Sequence, residues 1–222
     1  DDTLIMAADA QQSFALCPRP WPKHDDLLLE NRSVYTDWIE PAQGTAHRMI
    51  RWTELASALL SREVQIPKVR FDEYLMPILK KSGSSYIVFH PFSNEAERNF
   101  SLATWLKLAE NLSEGREIIL SVGPGDLEKY PEFKSLASLP SIEVNTQELK
   151  EKLALFRGAQ LVITVDTSVL HLAVGCGANT LCLASAAHTI DSIPYDERIC
   201  PDNVTFLIEE MPRRLPRKLH SS

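Results

Sequence analysis

From residue 85 onward, apolar runs and amphipathic stretches alternate, separated by short polar breaks. "SYIVFH" (85–90) is an apolar, β-branched run, the pattern of a buried strand. "SLATWLKLAENLSEG" (101–115) sets Leu102, Trp105, Leu106, Leu108, Ala109 and Leu112 close to helical spacing, with Gly115 as the stop. "REIILSV" (116–122) predicts a second strand ending in the tight turn "GPGD". A helix through "LEKYPEFKSLA" is then expected, with Asp126 as its cap and Pro131 kinking or interrupting it. "SIEV" (141–144) predicts a third strand. "TQELKEKLALFRGA" (146–159) predicts an amphipathic helix with Thr146 as N-cap and Gly158 near its end. The strand "LVITV" (161–165), a helix over 168–176 and the strand "NTLCLA" (179–184) follow. Strands alternating with helices of this length imply βαβ units and a parallel sheet, an α/β fold of Rossmann-like type.

Residues 1–83 are less regular. "TLIMAA" reads as a strand and "LCPRPWPKHDD" as a proline-broken loop. "HRMIRWTELASALLS" (47–61) predicts a helix, and "FDEYLMPILKKSG" a second one running into a linker at 81–84. The chain opens on "DDTLIMAADA" without an initiator Met, and its first part is too short for a full βαβ sheet. Both features suggest a piece of a larger protein.

Composition narrows the class without changing the fold. With 44% hydrophobic and 24% charged residues the chain can build a core, and its net charge of −7 argues against a broadly basic nucleic-acid surface. The basic run "RRLPRKLH" near the C-terminus reads as a solvated tail. No apolar stretch reaches the length of a membrane-spanning helix, and no secretory signal pattern opens the chain. Cys17, Cys176, Cys182 and Cys200 are scattered without a CxxC pair, as expected of reduced thiols in a cytoplasmic protein.

Three predicted strands end in polar clusters: "HPFSNEAER" after 85–90, "GPGD" after 116–122 and "DTS" after 161–165. In an open α/β sheet ligands sit outside the carboxyl ends of the strands, so the three loops outline a cleft if the strands share one sheet. The helix starting near Thr167 offers N–H groups and a positive dipole end suited to phosphate, with Thr167 and Ser168 hydroxyls alongside. Helix-end chemistry alone leaves Asp166 and Thr167 balanced between capping and ligand binding, and His171 between an anion donor and a satisfied core histidine. Arg98 reads either as a phosphate ligand or as a surface cation bridging to Glu95 or Glu97. Ser93 and Asn94 read as ordinary loop residues. No G-x-G-x-x-G, Walker A, HExxH or G-x-S-x-G pattern occurs.

"LVITVDTSVLHLAVGCGANTLCL" resembles the C-terminal signature of heptosyltransferase-type glycosyltransferases (glycosyltransferase family 9). That signature is a strand, Asp-[Ser/Thr]-Gly-x-x-His-x-x-x-Ala-x-Gly, and a second strand. "YIVFHPFSNEAERNFSLATWLKLAENL" resembles the family's earlier segment of strand, small-residue loop, Lys-x-Trp-Pro and helix. The similarity covers residues 85–208. The resemblance implies a GT-B glycosyltransferase: two Rossmann-like domains, the donor held mainly by the C-terminal one. It divides the chain into a partial acceptor-side domain and linker (1–84), a nucleotide-sugar-binding domain (85–208) and a basic tail (209–222). Carried over by position, Asp166, Thr167, Ser168 and His171 fall on the donor-diphosphate motif, Arg98 on the family's lysine, and Ser93 on a phosphate-loop hydroxyl. The turn from Gly123 to Asp126 falls near the nucleoside.

The sequence departs from the family pattern in places. Ser168 replaces a glycine, Arg98 a lysine, and Phe100–Ser101 a Trp-Pro pair. Nothing in residues 1–84 matches the acceptor segment with its candidate general base, so no catalytic base is assigned and the chain is expected to be incomplete for turnover. The tail also differs from the family's closing helix.

The implied activity is metal-independent, inverting transfer of a sugar, heptose first, from a nucleoside-diphosphate donor to a cell-envelope saccharide or a protein. ADP-heptose is the first candidate donor, with no cofactor, no metal and no nucleic-acid partner. Lipopolysaccharide biosynthesis in the cytoplasm, peripheral at the inner membrane, is the implied setting. The alternative is a non-catalytic nucleotide-sugar-binding fragment or degenerate relative. A GT-B-like epimerase is disfavoured, because "TSVLHLA" lacks the acidic residues such enzymes place after their Ser-Gly pair.

Overall fold

The computed structural model describes residues 11–16, 30–40, 47–68, 70–71, 85–146, 148–185, 192–193, 195 and 198–208. The strand expected in "TLIMAA", the proline-broken loop from Cys17 on, the helix beyond Phe71, the linker at 81–84 and the basic tail lie outside these residues. The chain forms two compact units, Asp1–Pro67 with Ile190–Ile199, and Lys68–Thr189 with Cys200–Ser222.

In the first unit, β1 (Phe14–Leu16) and β2 (Asp37–Ile39) pair in parallel, Phe14 opposite Asp37. Neither strand is evident from sequence pattern, because three residues are too few to show a period. The predicted helix is present as α1 (Arg48–Leu60). His47 is its N-cap, with Nδ1 accepting from the Met49 N–H at 3.3 Å and Nε2 donating to the Ser192 carbonyl at 3.1 Å. Both nitrogens of the buried ring are therefore used.

The second unit carries a six-stranded, wholly parallel sheet. Its strands are β3 (Tyr86–His90), β4 (Glu117–Ser121), β5 (Ile142–Asn145), β6 (Leu161–Val165), β7 (Thr180–Ala184) and β8 (Val204–Ile208). They lie in the order β5-β4-β3-β6-β7-β8. Five follow from the apolar runs. β8 does not: "VTFLI" sits at the sheet edge with Leu207 61% exposed, so it lacks the signature of a buried strand.

The helices of this unit are α2 (Leu102–Leu112), α3 (Asp126–Lys129), α4 (Lys134–Ala137), α5 (Leu149–Gly158) and α6 (Ser168–Gly175). Ser101 caps α2 by accepting from the Thr104 N–H at 3.3 Å. Pro131 interrupts as expected, splitting the segment into α3, one 3-10 turn (Pro131–Phe133) and α4. Two expected caps are corrected. Asp126 is the first residue of α3 instead of its cap, with Gly125 in the cap position. Helix α5 begins at Leu149, not after Thr146, because pairing of Asn145 with Ser121 extends β5 and delays the helix to a Glu148 N-cap.

Side chains alternate between the two sheet faces, as the pleat requires. Ile87, Phe89, Ile118, Leu120, Ile163 and Val165 pack with Trp105 of α2 and with Phe133 and Leu136. Tyr86, Val88, Ile119 and Val162 pack on the other face with Phe156 of α5 and Ala173 of α6. With both faces covered, the inner strands β3, β4, β6 and β7 are mostly apolar, which is why they are legible in the sequence. Phe71 also joins this unit: its N–H donates to the Gly175 carbonyl at 2.8 Å, and a side chain at Gly175 would run into its ring.

Candidate functional site

Strands β3 and β6 are adjacent at the centre of the sheet, yet the chain leaves them in opposite directions, toward β4 and toward β7. The two following loops therefore diverge, and a crevice opens at their carboxyl ends. Here the sheet order brings the β3–α2 loop, with Ser93 and Arg98, to the β6–α6 junction, with Asp166, Thr167 and Ser168.

The β3–α2 loop is tied down by its own side chains. The Ser93 N–H donates to Asn99 Oδ1 at 2.7 Å, and the Tyr130 hydroxyl donates to the Ser93 carbonyl at 2.7 Å. Ser93 Oγ accepts from the Glu95 N–H at 3.2 Å, and Lys129 Nζ donates to the Asn94 carbonyl at 3.0 Å. From two strands away, Ser185 Oγ, just after β7, donates to the Glu97 carbonyl at 2.8 Å. A single 3-10 turn, Ala96–Arg98, then presents the Arg98 guanidinium.

Arg98 engages both candidate partners. One terminal nitrogen lies 3.1 Å from the Asp166 carboxylate and the other 2.8 Å from Glu95. The Asp166 side chain is 3% exposed and that of Glu95 54%. Arg98 is thus neither a plain surface bridge nor a bare cation awaiting phosphate. Its Nε is buried and has no hydrogen-bond partner.

After Asp166, Thr167 occupies the N-cap position of α6 in extended backbone, and its side chain makes no capping hydrogen bond. The expectation of a capping hydroxyl is therefore corrected: the Thr167 side chain does not fill the helix start. Ser168 begins α6, and His171 follows in the next turn, half-buried. The rest of the helix is small and apolar, with Leu170, Ala173, Val174 and Gly175 buried, so it packs closely on the sheet.

The β4–α3 loop adds a second element. Asp126 folds back so that Oδ2 accepts from the Gly123 N–H at 2.6 Å. A Cβ at Gly123 would sit 2.9 Å from that carboxylate, and Gly125 takes φ 78°, so each glycine has a separate steric reason. Lys152, from the first turn of α5, donates to the Val122 carbonyl at 2.6 Å. Burial lowers its pKa, opposed by the charges of Asp126 and Glu148.

Several of these residues were not evident from sequence. His90 closes an otherwise apolar run, and Asn145, Ser121, His90, Thr164 and Cys182 are all buried at the strands' carboxyl ends, with Ser121 registered to Asn145, His90 to Thr164, and Thr164 to Cys182. Burial pushes the His90 imidazole down to about 4, partly offset by its bond to the Ser121 carbonyl and by Asp126. Burial, then the Asp166 charge, push the Cys182 thiol up to about 12. Ser121 Oγ is buried without a hydrogen-bond partner. A polar residue at the end of an apolar strand is the one signal that could have flagged this row.

A central parallel sheet in this order, with a crevice between its two innermost strands, defines a doubly wound, Rossmann-like α/β fold. More specifically, the chain belongs to glycosyltransferase family 9 (heptosyltransferase), whose model matches residues 35–200. Among solved structures it is similar to the E. coli heptosyltransferase WaaC with ADP-2-deoxy-2-fluoro heptose, at 20% identity and TM-score 0.57, covering 80% of this chain and 54% of that one. It is also similar to the family 9 glycosyl transferase of Veillonella parvula DSM 2008, at 14% identity and TM-score 0.59, covering 94% and 66%. For E. coli ADP-heptose lps heptosyltransferase II the values are 12%, 0.57, 93% and 70%. The chain thus spans little more than half the length of WaaC. No curated protein sequence matches it. Among the described residues, no helix is long and apolar enough to cross a membrane.

Proposed function

We propose that this chain holds the nucleoside-diphosphate sugar of a heptosyltransferase at the β3/β6 crevice. The observation that carries the reading is the meeting of Arg98 with the Asp166–Ser168 junction at the point where the sheet order reverses. A guanidinium binds phosphate through two parallel N–H bonds, and a helix start that the Thr167 side chain does not cap can present backbone N–H groups to the same anion. The Ser93, Thr167 and Ser168 hydroxyls and His171 complete the diphosphate contacts. The loop from Gly123 to Asp126, braced by Lys152, faces the nucleoside.

In the proposed reaction an acceptor hydroxyl attacks the anomeric carbon from the face opposite the diphosphate, inverting its configuration. Negative charge builds on the leaving diphosphate, where fixed donors stabilise it most. Arg98 and the α6 N–H groups supply that stabilisation without a metal. ADP-heptose is the first candidate donor, because WaaC was solved with an ADP-heptose analogue. The acceptor is a cell-envelope saccharide, as in lipopolysaccharide assembly on the cytoplasmic side, or a protein. No residue is assigned as the base.

Calorimetric titration with ADP, UDP, GDP and ADP-heptose tests the reading. Saturable binding that weakens in Arg98→Ala and His171→Ala is expected. No binding of any of the four, or binding indifferent to both substitutions, overturns it. Binding without transfer to any acceptor would favour the non-catalytic alternative.

A further inference from the structure

We propose that Glu95 is an internal competitor for the phosphate position on Arg98, so that a diphosphate binds by displacing it. This rests on the diphosphate reading above and adds to it a determinant of affinity and selectivity.

Three observations carry the proposal. First, the guanidinium faces two carboxylates at once, Asp166 at 3.1 Å and Glu95 at 2.8 Å. Both terminal nitrogens are thus already engaged by carboxylates, so an incoming anion gains a terminal nitrogen only when a carboxylate leaves. Second, the two are not equally able to leave. The Asp166 side chain is 3% exposed, so its carboxylate cannot turn into water as Arg98 is approached. Glu95 is 54% exposed, and its carboxylate can swing into water at small cost. Its backbone stays in place, because the Glu95 N–H is held by Ser93 Oγ. Third, the guanidinium is not fully used: Arg98 Nε is buried without a hydrogen-bond partner. A guanidinium has five donors, and the two carboxylates leave at least this one unused.

Asp166 therefore acts as the permanent anchor of Arg98 and Glu95 as its exchangeable occupant. The exchange favours ligands whose anionic charge exceeds that of a carboxylate. Pyrophosphate and nucleoside diphosphates meet this condition, and an uncharged nucleoside does not engage Arg98 at all.

Binding of ADP, inorganic pyrophosphate and adenosine to the 222-residue chain and its Glu95→Gln, Arg98→Ala and doubly substituted forms tests the proposal. Glu95 is exposed, so the first variant should fold normally. Glu95→Gln is expected to tighten ADP and pyrophosphate by about two- to fivefold, the size an exposed ion pair supports, and to leave adenosine unchanged. In the Arg98→Ala background the same change should have no effect. If Arg98→Ala weakens ADP but Glu95→Gln does not tighten it, or tightens it equally without Arg98, the competitor role is wrong and the diphosphate reading stands. If neither substitution alters ADP affinity, or ADP does not bind, the diphosphate reading itself fails and the competitor role falls with it.

Discussion

The His90 imidazole donates from Nδ1 to the carbonyl of Ser121, 3.0 Å away on the neighbouring strand. The bond fixes the tautomer, while burial keeps the ring neutral in a row of polar side chains. Its folded pKa is about 4 against an ordinary 6.5, so between those values the unfolded chain binds the proton and the folded one does not. Stability is therefore fully present above about pH 6.5 and is lost as pH falls toward 4, by an amount on the order of 3 kcal/mol. His90→Asn keeps a donor toward Ser121 and removes the titration. Denaturant midpoints at pH 7 and 4.5 should differ less in the variant than in the wild type. The nearby charges of Asp126 and Lys152 remain in both forms, so an equal difference would assign the acid sensitivity elsewhere.

Lys152 braces the turn from Val122 to Asp126 from outside it, through one bond to the Val122 carbonyl. Replacing it with methionine keeps the stem and deletes that bond. ADP and adenosine should then weaken by a similar factor, about tenfold for one lost charged hydrogen bond of roughly 1.5 kcal/mol, while pyrophosphate affinity is unchanged. A loss confined to pyrophosphate would place Lys152 on the phosphate side instead.

Trp105 is fully buried, its ring packed edge-on against Phe89 at 5.3 Å, and its Nε1 has no hydrogen-bond partner. Trp105→Ala should cost about 3–5 kcal/mol in thermal or denaturant unfolding. Trp105→Phe should cost much less, because it keeps most of the ring volume and removes an unsatisfied N–H. Equal losses in the two variants would mean that the indole nitrogen is satisfied by an ordered water.

Gly175 closes α6 with the Phe71 ring directly over it. Gly175→Ala should destabilise by about 1–3 kcal/mol, the usual range for overpacking. Adding Phe71→Leu should recover part of that loss, since the clash is with a side chain. Absence of recovery, measured by the melting temperatures of the single and double variants, would point to the backbone.

The inner strands β3, β4, β6 and β7 are legible because they are buried on both faces and so are mostly apolar. Outside them the signal thins: the edge strand β5 shows as a short run before a helix, and the exposed edge strand β8 and the three-residue strands β1 and β2 give no run to read. Helix starts were less certain than helices. Thr146 has the chemistry of a cap, but the tertiary pairing of Asn145 with Ser121 decides where the strand ends. In the site, Asp166 and Arg98 could each be picked out as polar residues after a strand. Their ion pair could not, because it depends on β3 lying beside β6, which no local pattern specifies. His90 and Lys152 were missed for a related reason. A single polar residue in an apolar run, or one lysine among the charges of a helix, acquires meaning only from what it faces.

The adjacency of β3 and β6 also ties ligand occupancy to the lifetime of the folded protein. These strands meet only after β4 and β5 and their helices have been laid down on one side, so a molecule gripping both loops clasps the finished sheet and not one hairpin of it. Its binding energy adds to the free energy of global opening. Slow amide exchange in the innermost strands should then become slower still when the crevice is filled. Starved of its ligand, such a protein would be cleared sooner by proteolysis, and its abundance would track the supply of what it binds.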